Sequence, residues 1–127
     1  MIRVLVIGYA PDAVDYTDPL APPGVDAKKV ADGIEVDLRK MRALGWNAEH
    51  LNIGADDGLR QKILDHLAGR QYDCIVVGAG VRVTTNRVEV FETVVNAVRE
   101  GASHTPLAFN GSPDSSAEAA SRVLGRR

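Results

Sequence analysis

Two stretches of this chain hold residue types from which a binding site can be built. Gly78-Ala79-Gly80-Val81-Arg82-Val83-Thr84-Thr85-Asn86 follows an apolar run and precedes a helical pattern, the place where an α/β protein keeps a phosphate loop. Gly78 and Gly80 let backbone approach a ligand closely, Arg82 carries a fixed positive charge, and Thr84, Thr85 and Asn86 supply polar groups at a helix start. A small anion would be held there by helix-terminal amides together with Arg82. The second stretch, "YAPDAVDYTDPLAPPG" over residues 9–24, combines Tyr9, Asp12, Asp15, Tyr16, Thr17 and Asp18 with Pro11, Pro19, Pro22 and Pro23. Fixed φ angles stiffen it, whereas a flexible linker would use Gly and Ser.

Known motifs are absent from both stretches. "GAG" lacks the third glycine of the dinucleotide fingerprint and follows the wrong strand, and there is no Gly-Lys-Ser/Thr of a P-loop. A plainer account of residues 78–89 is a tight glycine turn, a solvated Arg82, and Asn86 capping a helix in capping-box spacing with Glu89. Every helix has such a start, so this account outweighs the anion one. His50, His66 and His104 lack ligand spacing, which points away from a metal site, and His66 is expected at the surface. Cys74, the single cysteine, lies in an apolar run where it acts as a small hydrophobe. Ser112-Pro113-Asp114 reads as a cap, a first-turn proline and a first-turn acid, with Asn110 either touching the same rim or forming a turn. Without paired carboxylates or an evident nucleophile, no catalytic residue and no cofactor can be named.

The elements that must position these residues follow from hydrophobic spacing. β-Branched runs predict strands near 2–8 and 73–78, the polar alternation "WNAEHLNI" an edge strand at 47–53, and "PLAF" a last strand at 106–110. Helical stripes fall at Val30, Ile34, Leu38 and Met41, capped by Asp26 and ended by Gly45; at Leu59, Ile63, Leu64 and Leu67, ended by Gly69; and at Val88, Phe91, Val94, Val95 and Val98, ended by Gly101. A fourth helix follows in "PDSSAEAASRVL". This alternation calls for a three-layer α/β sandwich, a four-stranded parallel sheet in the order 2-1-3-4 with helices on both faces. Val4, Val6, Ile34, Leu38, Met41, Ile63, Leu67, Ile75, Val77, Phe91 and Val95 are the expected core. Ligands of open α/β sheets sit outside the carboxyl ends of the strands where the winding reverses, here at loops 9–25 and 78–87. The first loop exceeds the usual strand-to-helix length of about 2–6 residues. It is expected as an ordered cover, with Tyr9 or Tyr16 close to Gly78–Arg82.

Composition bounds the rest. With 127 residues, 45% hydrophobic and 25% charged, the chain is expected as one domain over 1–127. A net charge of −2 makes a nucleic-acid partner improbable on electrostatic grounds. No apolar run reaches the ~20 residues of a membrane span, and "MIRVLVIGYA" lacks the features of a secretory signal, so a cytoplasmic location without membrane contact is expected.

The layout resembles the flavodoxin-like and Rossmann-like superfolds, which imply a fold and no function. Gly8-Tyr9 and Gly78-Ala79 stand where receiver domains carry their acidic residues, and "GYAPDAV" is not a flavodoxin phosphate loop. Through "VDYTDP…PPG" and "YDCIVVGAGVR" the chain is similar, over nearly its whole length, to a group of small uncharacterised bacterial proteins. That similarity implies no activity; it implies that Asp15, Tyr16, Asp18, Pro19, Pro23, Gly24, Gly78, Gly80 and Arg82 belong to one rim. Two functions remain open. One is a small-molecule binding domain for an anionic ligand, with Tyr9, Asp12, Asp15, Tyr16, Gly78, Gly80, Arg82, Thr84 and Asn110 as candidate contacts. The other is a regulatory or interaction module whose loop or strand edge binds a protein or a second copy in a homodimer.

Overall fold

Arg3–Tyr9 forms strand β1, and six of its seven residues are buried, as a strand covered on both faces must be. Cys74–Val77 forms β3, buried at all four positions. Asn47–Ile53 (β2) and Leu107–Phe109 (β4) lie at the two edges. All four strands pair in parallel in the order β2-β1-β3-β4, with Val6 opposite His50 on one side and Val76 on the other. The structure, a computed structural model, describes residues 1–125; Arg126 and Arg127, the end of the expected domain, lie outside the described residues.

Five helices connect and cover the strands among the described residues: α1 (Ala27–Ala43), α2 (Leu59–Leu67), α3 (Ala79–Arg82), α4 (Val88–Gly101) and α5 (Ser116–Leu124). Strand side chains alternate between faces. Leu5, Ile7, Ile75 and Val77 therefore pack with Ile63, Leu67, Val94 and Val98 of α2 and α4. Val4, Val6, Cys74 and Val76 pack on the opposite face with Met41, Ala119 and Ala120 of α1 and α5. Each fully buried aliphatic side chain contributes about 1.5–3 kcal/mol. No helix among the described residues is long and apolar enough to cross a membrane.

Seven of the eleven expected core residues are buried; Ile34, Leu38, Phe91 and Val95 are only half-buried. On α4 the buried stripe runs through Val90, Val94, Ala97 and Val98, while Val88 is 60% exposed. The helix is rotated from the expected face because five valines and a phenylalanine offer more than one apolar stripe. Ile34 fails to bury for a different reason: it borders a cavity.

Helix ends divide between local and distant control. Asp26 accepts from the Lys29 amide at 2.9 Å to cap α1, and Gly45, at φ +84°, ends it as a left-handed residue. The expected Asn86 cap does not form. The Thr84 hydroxyl accepts from the Asn86 and Arg87 amides at 3.3 and 3.1 Å, and the Asn86 side chain turns to Asp15 instead. Gly101 is the last residue of α4 rather than its terminator; a Cβ there would lie 3.0 Å from Leu67 Cδ1, so it serves the close approach of α2. The expected Ser112 cap and Pro113 helix start are replaced by a turn, in which Ser115 Oγ accepts from the Gly111 and Ser112 amides, and α5 begins at Ser116. His66, expected at the surface, is only partly exposed. Half-buried, it places Nε2 3.1 Å from the Tyr72 hydroxyl and 3.3 Å from Glu49 Oε2.

Candidate cavity at the carboxyl ends of the strands

Strand β1 ends in Gly8-Tyr9, Gly78 and Asn110 directly follow β3 and β4, and above these ends lies a cavity of about 270 Å³. Its lining is mainly apolar, with Val30 and Ile34 of α1 on one wall, Val81 of α3 on the other, and Val14, Leu20 and Val25 from the loop above. The volume is nearly twice the ~150 Å³ cavity that admits benzene and falls just below the range of drug-sized sites. Residues 9–25 are thus the cover of the sheet end.

The loop holds its shape through short-range polar contacts. The Tyr16 hydroxyl donates to the Pro11 carbonyl at 2.6 Å, Thr17 donates to Asp15, and the Leu20 amide donates to Asp18 Oδ1 at 2.9 Å. Asp18 Oδ2 also accepts from the Thr85 amide at 3.0 Å and the Thr84 hydroxyl at 3.3 Å, and Asp15 Oδ2 from Asn86 Nδ2 at 3.3 Å. The Thr17 hydroxyl and amide, then Asn86, hold the Asp15 carboxyl below its ordinary value; the Leu20 and Thr85 amides do the same for Asp18.

Residues 78–87 do not form a glycine turn. Gly78 and Gly80 both lie outside the left-handed region, and residues 79–82 make the one-turn helix α3. The glycine at 78 serves proximity: a Cβ would meet Gly8 Cα and the Ile7 carbonyl at 3.5 Å. Most amides that a phosphate would need are engaged within the protein. Gly78 donates to Ile7, Ala79 to Asn110 Oδ1 at 2.7 Å, Val81 to Gly78, Val83 to Ala79 and Thr85 to Asp18.

The cavity gathers Tyr9, Asp15, Gly78, Gly80, Thr84 and Asn110 from among the candidate contacts, together with Asp18. Asp12, Tyr16 and Arg82 stand outside the lining. Arg82 is exposed and its guanidinium donates to the Asn110 carbonyl at 3.2 Å. Of the rim implied by the resemblance, Pro19, Pro23 and Gly24 are exposed on the outer side of the loop. Tyr9, not Tyr16, is the tyrosine beside the Gly78–Arg82 segment, its Cδ2 3.9 Å from a Cβ placed on Gly80.

Two lining residues were not legible in the sequence. Arg87 donates to the Ala13 carbonyl at 3.0 Å and holds its guanidinium carbon 5.4 Å from the Tyr9 ring centre. Its only sequence signal, a base just ahead of a helix, is shared with any solvated arginine. His50 lies on β2 across from Val6, with Nε2 3.1 Å from where a Gly8 Cβ would be. Burial pushes its pKa down, against a smaller opposing effect of Asn52, so the imidazole is neutral at pH 7. The Tyr9 hydroxyl is buried without a hydrogen-bond partner among the described residues; burial raises its pKa, with Arg87 pulling the other way.

Behind the cavity, Asn110 is 3% exposed and ties three elements together. Its Oδ1 accepts from Ala79, its carbonyl from Arg82, and its Nδ2 donates to Ser116 Oγ at 3.0 Å. The Ser116 amide in turn donates to the buried Asp37 of α1 at 2.8 Å. Burial raises the Asp37 pKa, against the opposing Ser116 hydrogen bonds.

No family model matches this chain, and no curated protein matches it.

Chemically, the lining offers shape and apolar area more than reactivity. The Ser112 hydroxyl, the one on the α5 side of the cavity, donates to Asp114 at 2.8 Å rather than to a base. Charged groups in the lining are two carboxylates and one guanidinium. No group of three or more His, Cys, Asp and Glu side chains among the described residues is placed to hold a metal ion.

Proposed function

We propose that this chain binds a small, largely apolar and uncharged molecule in the cavity above Gly8, Gly78 and Asn110. The observation that carries this is a partly open space of about 270 Å³ whose walls are mainly apolar, with Leu20, Val30, Ile34 and Val81 among them. Such walls gain from covering apolar surface and offer little to a hydrated ion. An anion is the weaker guest. The amides of residues 78–87 are largely spent, and the single lining guanidinium faces two carboxylates. The polar end of a ligand would meet Arg87 or the Asn110–Ser112 corner, and the neutral His50 fits the same preference for an uncharged guest.

Benzyl alcohol and benzoate, matched in shape and different in charge, test this together with inorganic phosphate. Titrated into ¹⁵N-labelled protein, benzyl alcohol is expected to shift the amides of Gly78, Gly80, Val81 and Asn110, with weaker effects from benzoate and none from phosphate. If phosphate alone moves those amides, the ligand is an anion after all. If no probe does, the alternative role as an interaction module gains, for which exposed apolar side chains such as Leu20, Leu44 and Val88 offer contacts.

A further inference from the structure

We propose that residues 14–24 are a lid over this cavity, latched shut by Asp15 and Asp18 against Thr84–Asn86. The inference rests on the cavity being the binding site, and it adds how that site is gated. Both ends of the segment are anchored. Ala10 donates to the Ile53 carbonyl at 2.9 Å, Ala13 and Val14 pack on the core, and Arg87 holds the Ala13 carbonyl. At the other end Lys29 Nζ donates to the Gly24 carbonyl at 2.7 Å, and Gly24, at φ +75°, occupies a backbone region that lets the chain reverse without strain. Asp26 then starts α1.

Between these anchors little holds the segment down. Pro19, Leu20, Pro22 and Pro23 are exposed, so apolar burial contributes weakly to closure. Apart from the Tyr16 hydroxyl, which donates to the Pro11 carbonyl at the anchored start, the side-chain hydrogen bonds from residues 15–23 to the rest of the described residues are those of Asp18 with Thr84 and Thr85 and of Asp15 with Asn86. All three end on ionised acceptors, which makes them stronger than neutral ones. Thr84 occupies the centre of the latch. Its hydroxyl donates to Asp18 while accepting from the Asn86 and Arg87 amides just ahead of α4. Segments with few buried contacts and a handful of hydrogen bonds open independently of the core.

Chymotrypsin under native conditions reads the opening directly, because it cuts after Tyr16 and Leu20. Asp18→Ala is expected to speed cleavage at these two bonds about tenfold or more, the scale set by losing hydrogen bonds to a charged acceptor. Thr84→Val should do so less strongly, and Glu92→Ala, on the exposed side of α4, not at all. Unchanged cleavage in Asp18→Ala overturns the lid, as does acceleration spread evenly over the chain, since that reports global unfolding. A second readout is the dissociation rate of benzyl alcohol, expected to rise in Asp18→Ala by more than its affinity falls. Failure of benzyl alcohol to bind the unmutated protein counts against the cavity reading alone, while the cleavage pattern still decides the lid.

Discussion

The guanidinium of Arg87 stands over the ring of Tyr9, 5.4 Å from its centre, although one residue ends β1 and the other directly precedes α4. Arg87 also holds the Ala13 carbonyl, so one side chain joins α4, β1 and the start of the cover. Arg87→Ala is therefore expected to lower the unfolding free energy by about 1–2 kcal/mol, from a lost charged hydrogen bond and a cation–π contact. Arg82→Ala, whose side chain is exposed, should change it by less than about 0.5 kcal/mol. Urea denaturation of the two variants compares them; equal losses would show that the Arg87 contacts do not bear on stability.

Acid should open the cover. Asp15 and Asp18 both titrate below the ordinary carboxylate value of 3.8 in the folded protein, so their contribution is present above that pH and is lost as pH falls through the lower folded values. The expected sign is release on acidification below 3.8, seen as faster hydrogen exchange at the Thr85 amide relative to amides of β3 after correction for intrinsic rates. A Thr85 amide that stays protected together with β3 down to global unfolding would contradict this.

Asp37 should behave in the opposite sense. Its folded pKa is raised by burial, so its contribution is most favourable at low pH and declines as pH rises through the folded value. Asp37→Asn keeps an acceptor for the Ser116 amide without a charge to desolvate, and is expected to equal or exceed the unmutated protein in stability at pH 7, with the difference shrinking on acidification. Asp37→Ala leaves that amide unpaired and should cost about 1–3 kcal/mol. Thermal unfolding of both variants between pH 4 and 8 reads the pattern; a strongly destabilised Asp37→Asn would show that the charge itself is needed.

Filling the cavity should separate binding from folding. Ile34 borders the space and is only half-buried, so Ile34→Trp can extend into it without displacing a packed neighbour. Loss of the benzyl alcohol shifts with a melting temperature within a few degrees of the unmutated protein is expected. Retained binding would place the ligand elsewhere.

Local sequence determined the strands and the ends of α1, because each depends on residues within a turn or two of one another, and the alternation of strands with helical crossovers along the whole chain then implied the parallel order. The β-branched runs at Arg3–Tyr9 and Cys74–Val77 admit only buried strands, and Asp26 and Gly45 carry their capping geometry in their own side chain and backbone. The place of the cavity followed from the strand order alone. Its contents did not. Thr84 rather than Asn86 supplies the side-chain acceptor ahead of α4, taking the Asn86 and Arg87 amides, and Asn86 is drawn away by Asp15, 71 residues earlier. Arg87 rather than Arg82 faces the space because α3, a single turn unseen in the sequence pattern, rotates Arg82 toward the Asn110 carbonyl. His50 joined the lining through its register opposite Val6 and the missing side chain of Gly8. In each case several partners of similar chemistry lay within reach along the chain, and only the relative placement of strands and helices chose among them; hydrophobic periodicity encodes which face of an element is buried, not which polar atom it will meet.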